Sequence, residues 1–534
     1  MSPSLDAVDL AVIRNQLEGI ATEMGRTLIR GAFSPNIKER QDCSTALFCP
    51  AGRMVAQAEH IPVHLGAMPD AVGAVIEHDP QPGDTYLLND PYLGGTHLPD
   101  ITIIKPLAPV GECLGYAAIR AHHDDVGGAT PGSLPGGSRE VYAEGLRIPP
   151  VRIVRDGSLD RDLFELWLAN VRHPASRRAD LQAQLGAAHL GERRLGELVE
   201  EHGQAWLLDA FDAIIEYSRR RTHQALAALP EGSYHARDQL EGDGITEDSI
   251  EIETTVRVAD RSLTVDFNGT AEQVDGNVNA PPAVTKSAVY FVTRCVTDPD
   301  IPSNHGCFDP IDIDIPRGSV LHPRPPAAVS GGNVETSQRV ADVVLEALSE
   351  ADPTLPAHGQ GTMNNLVIGP HSNEVATYYE TIGGGSGARS TKDGMDGVHV
   401  GMTNTLNTPV EALEQTFPFT VECYSLRPGS GGAGRYRGGL GIERVIRLET
   451  DATVSILSDR RVFGPPGASG GEAGSAGENL IDDTPVGSKV TVEAAAGDVI
   501  TIRTPGGGGY GPVSDRSEVA LERDRLEGKV TEER

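Results

Sequence analysis

Apolar residues recur along this chain with two periods, and the switches between them outline its elements. Leu10, Ile13, Leu17, Ile20, Met24 and Leu28 step by three and four residues. That spacing predicts one buried face of a long N-terminal helix, with Asp6 or Asp9 as its cap. Ser44–Phe48 and Arg53–Gln57 predict two strands about the turn Pro50-Ala51-Gly52, and Pro69–His78 a short helix. Ile101–Ile104 and Leu114–Ile119 are apolar runs flanking a turn and predict a hairpin. Helical spacing returns from Ser158 to Leu229 in three segments, divided at His173-Pro174 and His202-Gly203, as expected of a helical insertion packed by helix–helix contact. Between residues 232 and 269 the pattern alternates at period two about Ala-Asp-Arg-Ser, an antiparallel hairpin. A helix starts at Pro282, and Gly331-Gly332 feeds another from Val334 to Glu350, whose first N–H groups either bind an anion or are ordinarily capped. From Phe419 onward, alternating segments between Gly-rich turns predict a β domain, closed by TPGGGGYG.

The pattern predicts an α+β, multidomain chain with mixed and antiparallel sheets. The expected units are a site-bearing N-terminal domain (1–157), a helical subdomain (158–231), a central α+β domain (232–418), a C-terminal β-rich domain (419–512) and a charged tail (513–534).

Composition narrows the function. The formal charge of −31 over 534 residues argues against nucleic acid, which requires clustered cations. No apolar run is long enough for a membrane span, and the N-terminus lacks the pattern of a secretory signal. Six cysteines scattered without a C-x-x-C pair fit free thiols in a reducing cytoplasm. GSGGAG (429–434) matches a dinucleotide fingerprint, but no helix follows it; GASGG (467–471) matches a nucleophile elbow, but lies in a Gly/Ala/Ser loop; and no phosphate-binding loop occurs.

The candidate chemistry surrounds the apolar hairpin. Asp90, His97 and Asp100 precede its first run; His122, His123, Asp124 and Asp125 follow the second, so pairing brings both groups to one end. His97, Asp100 and His122, with Asp42 first or Glu39 second as a further acid, form a mixed His/carboxylate set suited to a divalent ion with an open position. The competing reading is of polar residues at strand ends. His123, on the opposite face from His122, is expected to support that set or to act as an acid/base. His60 and His64 are weaker candidates, as is the pair His305 and Cys307. The Gly/Pro-rich segment 127–137 is either a cover for the site or a surface connector.

Several stretches resemble the hydantoinase B family, which includes relatives in 5-oxoprolinase, caprolactamase and acetone carboxylase: NIKERQDCSTALF, HIPVHLGAMPD, GDTYLLNDPYLGGTHLPDITI, AHHDDVGG, SGGNVETSQRVADVVLEAL, GQGTMNN, NTPVEALEQTFP, GRYRGGLG and TPGGGGYG. The likeness runs from about residue 10 to 512. It implies a divalent metal, zinc or manganese, held by Asp42, His97, Asp100 and His122. It also implies a separate A-type ATPase subunit, similar to the actin/hexokinase ATPases, that binds ATP with Mg and phosphorylates the carbonyl oxygen of a small cyclic amide. Ring opening by water would follow on the present subunit in a cytoplasmic hetero-oligomer. The alternative implied by the same resemblance is a subunit of an ATP-dependent ketone carboxylase.

Overall fold

The protein is described here by a computed structural model covering residues 5–59, 61–372 and 375–530. His60 lies outside the described residues, as does the end of the charged tail, whose preceding stretch forms the helix Glu518–Leu526. The fold is mixed α+β. No helix among the described residues is long and apolar enough to cross a membrane.

A seven-stranded antiparallel sheet carries the N-terminal part. Its strands are β1 (Cys43–Phe48), β2 (Met54–Glu59), β3 (Thr85–Leu88), β4 (Asp100–Leu107), β5 (Gly115–His122), β6 (Val151–Arg155) and β7 (Ser158–Leu159), in the spatial order β2-β1-β5-β4-β3-β6-β7. The expected hairpin is β4–β5, and its register places Asp100 opposite His122. Every residue of β1, β4 and β5 is buried. An antiparallel sheet usually shows one wet face; here both faces are covered, which is why the strands read as apolar runs. Ile101, Ile103, Ala117, Ile119 and Ala121 face a core shared with the helices Ala7–Gly31, Pro174–His202 and Gln204–Leu226. Ile104, Tyr116 and Ala118 face a second core built from residues beyond 225.

The three helices of residues 158–231 begin and end where the Pro and Gly signals put them. They do not pack only on one another. Pro174–His202 lies along Ala7–Gly31 and across β4 and β5, and its Gln184 donates to the carbonyls of Ile101 (2.9 Å) and Ile119 (3.2 Å). This long helix is a layer over the sheet.

The remaining strands form three further sheets. One is β11-β10-β9-β8, from β8 (Gly232–Glu241), β9 (Ser249–Ala259), β10 (Ser262–Asp266) and β11 (Ile311–Asp314). The expected hairpin β9–β10 turns at Asp260 and Arg261, both at positive φ, as a two-residue turn requires. Another joins β12 (Asn365–Pro370) and β13 (Tyr378–Thr381) to Ala452–Leu457 and Lys489–Ala494. The last runs from Phe419–Leu426 to Thr484–Pro485. The segment 127–137 is buried between these units and is no cover for the hairpin end: Gly136 N–H donates to Thr491 Oγ1 at 2.9 Å, and Asp125 accepts from the N–H groups of Gly127 and Gly132.

GSGGAG and TPGGGGYG meet as extended backbones packed directly on one another. A Cβ on Gly507 would lie 1.9 Å from Ser386 O, and one on Gly509 2.2 Å from Ala433 O. These glycines serve close backbone packing. Replacing Gly507 with Ala is expected to destabilise the fold by about 3 kcal/mol or more. Gly186→Ala, at an exposed helical position with nothing within 4 Å of the added carbon, should stabilise by about 0.5–1 kcal/mol. Thermal and urea unfolding of the two variants checks both signs.

Candidate metal centre

β1 and β4 begin, and β5 ends, at the same end of the sheet, so antiparallel pairing alone gathers their terminal residues. Asp42 precedes β1, and its carbonyl accepts from the His122 N–H at 3.1 Å. His97 stands in the turn before β4, where Asn89 Nδ2 holds the Leu98 carbonyl at 2.8 Å. Gly94 and Gly95 are needed there: a Cβ on either would lie 2.4 Å from Ala71 N or Asn89 O.

The side chains converge. His97 Nε2 and His122 Nδ1 are 3.1 Å apart, and each is 3.2 Å from Asp100 Oδ1. All three residues are buried. Bonds of about 2.0–2.1 Å to one divalent ion give ligand–ligand edges of roughly 3.0–3.4 Å, so the donor set fits such an ion in chemistry and in spacing. Burial alone would raise the Asp100 pKa. The positive charge available to His97, with hydrogen bonds from His122, His64 and His97, outweighs it and holds the carboxyl well below its ordinary value. Thr96 Oγ1 also donates to Asp100 Oδ2. The outer ring nitrogens, His97 Nδ1 and His122 Nε2, are buried without partners; the His122 ring is oriented by stacking on Tyr379, with centroids 4.7 Å apart.

His64 was the weaker sequence signal, yet it belongs to this cluster. Its Nε2 is 3.6 Å from Asp100 Oδ2, and its Nδ1 is 2.9 Å from Ser44 Oγ. Asp42 lines the cavity beside the trio, outside its tightest contacts, whereas Glu39 does not line it. His123 needs correction as a candidate acid/base. Strand alternation turns it to the helix side, where it is fully buried, 2.9 Å from Gln184 Oε1 and edge-on to Trp167. Burial and the nearby Arg177 lower its pKa to about 4. It has no access to the cavity. His305 and Cys307 join no ligand cluster among the described residues. One other donor group, Asp238, Asp342 and His358, comes comparably close, but Arg339 and Arg460 already pair with both its carboxylates.

The opposite wall comes from far along the chain: Asn333, Val334, Met363, Tyr379, Thr381, Thr403 and Thr405, with Ile61 and Val63 at the side. No local pattern pointed to these residues. Arg40 ties the two walls together. Its guanidinium donates to Asn36 Oδ1 (2.9 Å), Tyr379 O (2.6 Å), Thr381 Oγ1 (2.8 Å) and Thr405 Oγ1 (3.3 Å). Tyr379 OH donates to Asn365 Oδ1 (2.9 Å), and Asn365 Nδ2 to Glu335 Oε1 (2.9 Å). Glu335 is in a π-helical turn, Gly332–Thr336, that runs into the helix Ser337–Ser349. The N–H groups of Gly332 and Asn333 donate to main-chain carbonyls, so this helix start is capped internally.

Burial, then the nearby Asp459, push Glu335 up to about 8. The folded state therefore binds this proton more tightly than the unfolded chain does. The associated stability is complete below the ordinary carboxyl value of 4.5 and is lost as pH rises towards 8. Glu335→Gln, neutral throughout, should melt progressively higher relative to the parent between pH 5 and 8; differential scanning calorimetry across that range tests the sign.

The family model described as hydantoinase B/oxoprolinase matches residues 6–513. An uncharacterized protein of Methanocaldococcus jannaschii is 41% identical, covering 99% of this chain and 94% of its own length. 5-Oxoprolinase 1 of Arabidopsis thaliana is 40% identical over 95% of this chain, which spans only 42% of that relative. The solved structure of an ATP-dependent caprolactamase from Pseudomonas jessenii superposes with a TM-score of 0.92 at 27% identity, covering 99% of this chain and 95% of that one.

Proposed function

This chain belongs to the hydantoinase B/oxoprolinase family, and we propose that it is the metal-bearing subunit of an ATP-dependent hydrolase of small cyclic amides. The observation that carries the reading is the buried trio His97, Asp100 and His122, three donor atoms within 3.2 Å of one another beside a cavity. The names of the relatives, 5-oxoprolinase and ATP-dependent caprolactamase, supply the reaction class.

In this reading His97, Asp100 and His122 hold zinc or manganese, with Asp42 as the further carboxylate. When bound, the ion supplies a Lewis acid and lowers the pKa of water to about 7. The rest is the work of the chain's own side chains. Tyr379 fixes the His122 ring by stacking, and Asn365 and Glu335 fix Tyr379. Ile61, Val63, Val334 and Met363 give the cavity an apolar side for ring carbons, and the buried walls exclude bulk water. His64 keeps Asp100 charged and oriented.

Phosphorylation of the carbonyl oxygen, with ATP and Mg, falls to an A-type partner subunit. Two facts support that division: the sequence has no phosphate-binding loop, and it corresponds to less than half of 5-oxoprolinase 1. The working enzyme is then a hetero-oligomer acting in the cytoplasm.

His97→Ala and Asp100→Ala should each lose bound metal and reduce ATP-dependent ring opening by about a hundredfold or more. Elemental analysis of the purified chain and product assay with the partner subunit measure both. Full activity in a metal-free variant, or bicarbonate fixation onto a ketone in place of ring opening, overturns the reading.

A further inference from the structure

The wall facing the histidine–aspartate cluster holds an acceptor with no partner. Asn333 is 4% exposed and lines the cavity, and its Oδ1 makes no hydrogen bond. Leaving a buried amide carbonyl unpaired is costly, and such exceptions call for a physical explanation.

The backbone cannot relax to find Asn333 a partner. It stands in the π-helical turn, a rare conformation that recurs at functional sites. Its own carbonyl accepts from Ser337 Oγ at 2.6 Å, and its N–H donates to Val329 O at 3.3 Å. Glu335, two residues on, is fixed by Met363 N–H (3.2 Å) and Asn365 Nδ2. A Cβ on Gly331 would lie 2.6 Å from Asn277 Oδ1, and one on Gly332 1.9 Å from Asn279 O. The turn therefore presents one residue, in one place, against the cavity. Its neighbour Val334 lines the same wall, as does Met363.

Resting on the reading of the site as one for cyclic amides, we propose that Asn333 is a specificity residue whose side-chain carbonyl accepts the ring N–H of the substrate. The chemistry matches on three counts. A cyclic amide carries a single N–H beside its carbonyl, and the nitrogen still carries a donor once the ring has opened to an amine. The apolar residues beside Asn333 suit the ring carbons. A carboxamide is also neutral at every working pH, so it adds no third negative charge next to Asp42 and Asp100. A site built to accept a donor rejects the isostere that lacks it, because the acceptor is then buried unpaired.

The test uses the chain assembled with its partner subunit, ATP and metal, a graded series of unsubstituted lactams as substrates, and the lactones of matching ring size as competitive inhibitors. A lactone has the same shape but no N–H. In Asn333→Leu, and in Asn333→Ala as a second variant, KM for the lactam should rise about tenfold, with kcat changed less. The inhibition constant of the lactone should stay within about twofold, on the same hydrogen-bond reasoning, and metal content should equal that of the parent. Equal weakening towards lactam and lactone, or no weakening of either, overturns the proposal, since Oδ1 would then be met by a structural water only. A parent complex that binds metal yet opens no ring in the series is a different result; it overturns the reading of the site, and the role of Asn333 with it.

Discussion

One buried carboxylate sets the requirements for this part of the molecule. Asp100 is removed from water, and an ionised carboxylate there is tolerable only where charge and hydrogen bonds replace its hydration. The chain surrounds it with His97, His122, His64 and Thr96. Each comes from a different local context: a turn before β4, the end of β5, and a short turn after β2. None is useful unless the strand register is correct. A slip of one residue would turn His122 to the helix side and bring His123 in its place.

The sheet can hold that register because both its faces are dry. Helices cover one face and the remaining two-thirds of the chain the other, so every strand position is specified by packing as well as by pairing. The far wall of the cavity is joined to the sheet by Arg40, whose donors reach Tyr379, Thr381 and Thr405 across more than three hundred residues of sequence. Tyr379 then bears on His122, and the Asn365–Glu335 pair on Tyr379. The cluster is thus fixed from both sides, and its geometry depends on the docking of the two parts of the chain.

Local signals were strong where one element explains the pattern. The N-terminal helix, the breaks at His173-Pro174 and His202-Gly203, the hairpin β4–β5 and the turn at Asp260-Arg261 follow from periodicity and from Pro, Gly and Asp chemistry. His97, Asp100 and His122 were legible for the same reason, since a hairpin brings its own ends together. The choice between Asp42 and Glu39 was not, because it turns on which residue of a short turn faces inward. His123 misled because residue type alone does not say which face of a strand end is the cavity.

The sequence by itself determined the elements, their α+β mix and the three donors at the hairpin end, because each of these rests on contacts between near neighbours or on backbone preferences. Only the tertiary structure decided that the helical segment 158–231 roofs the sheet, that His64 joins the cluster, that segment 127–137 is an internal strap, and that Asn333 and Tyr379 complete the cavity. Those outcomes come from burial shared between distant segments, and burial of that kind leaves no period in the chain.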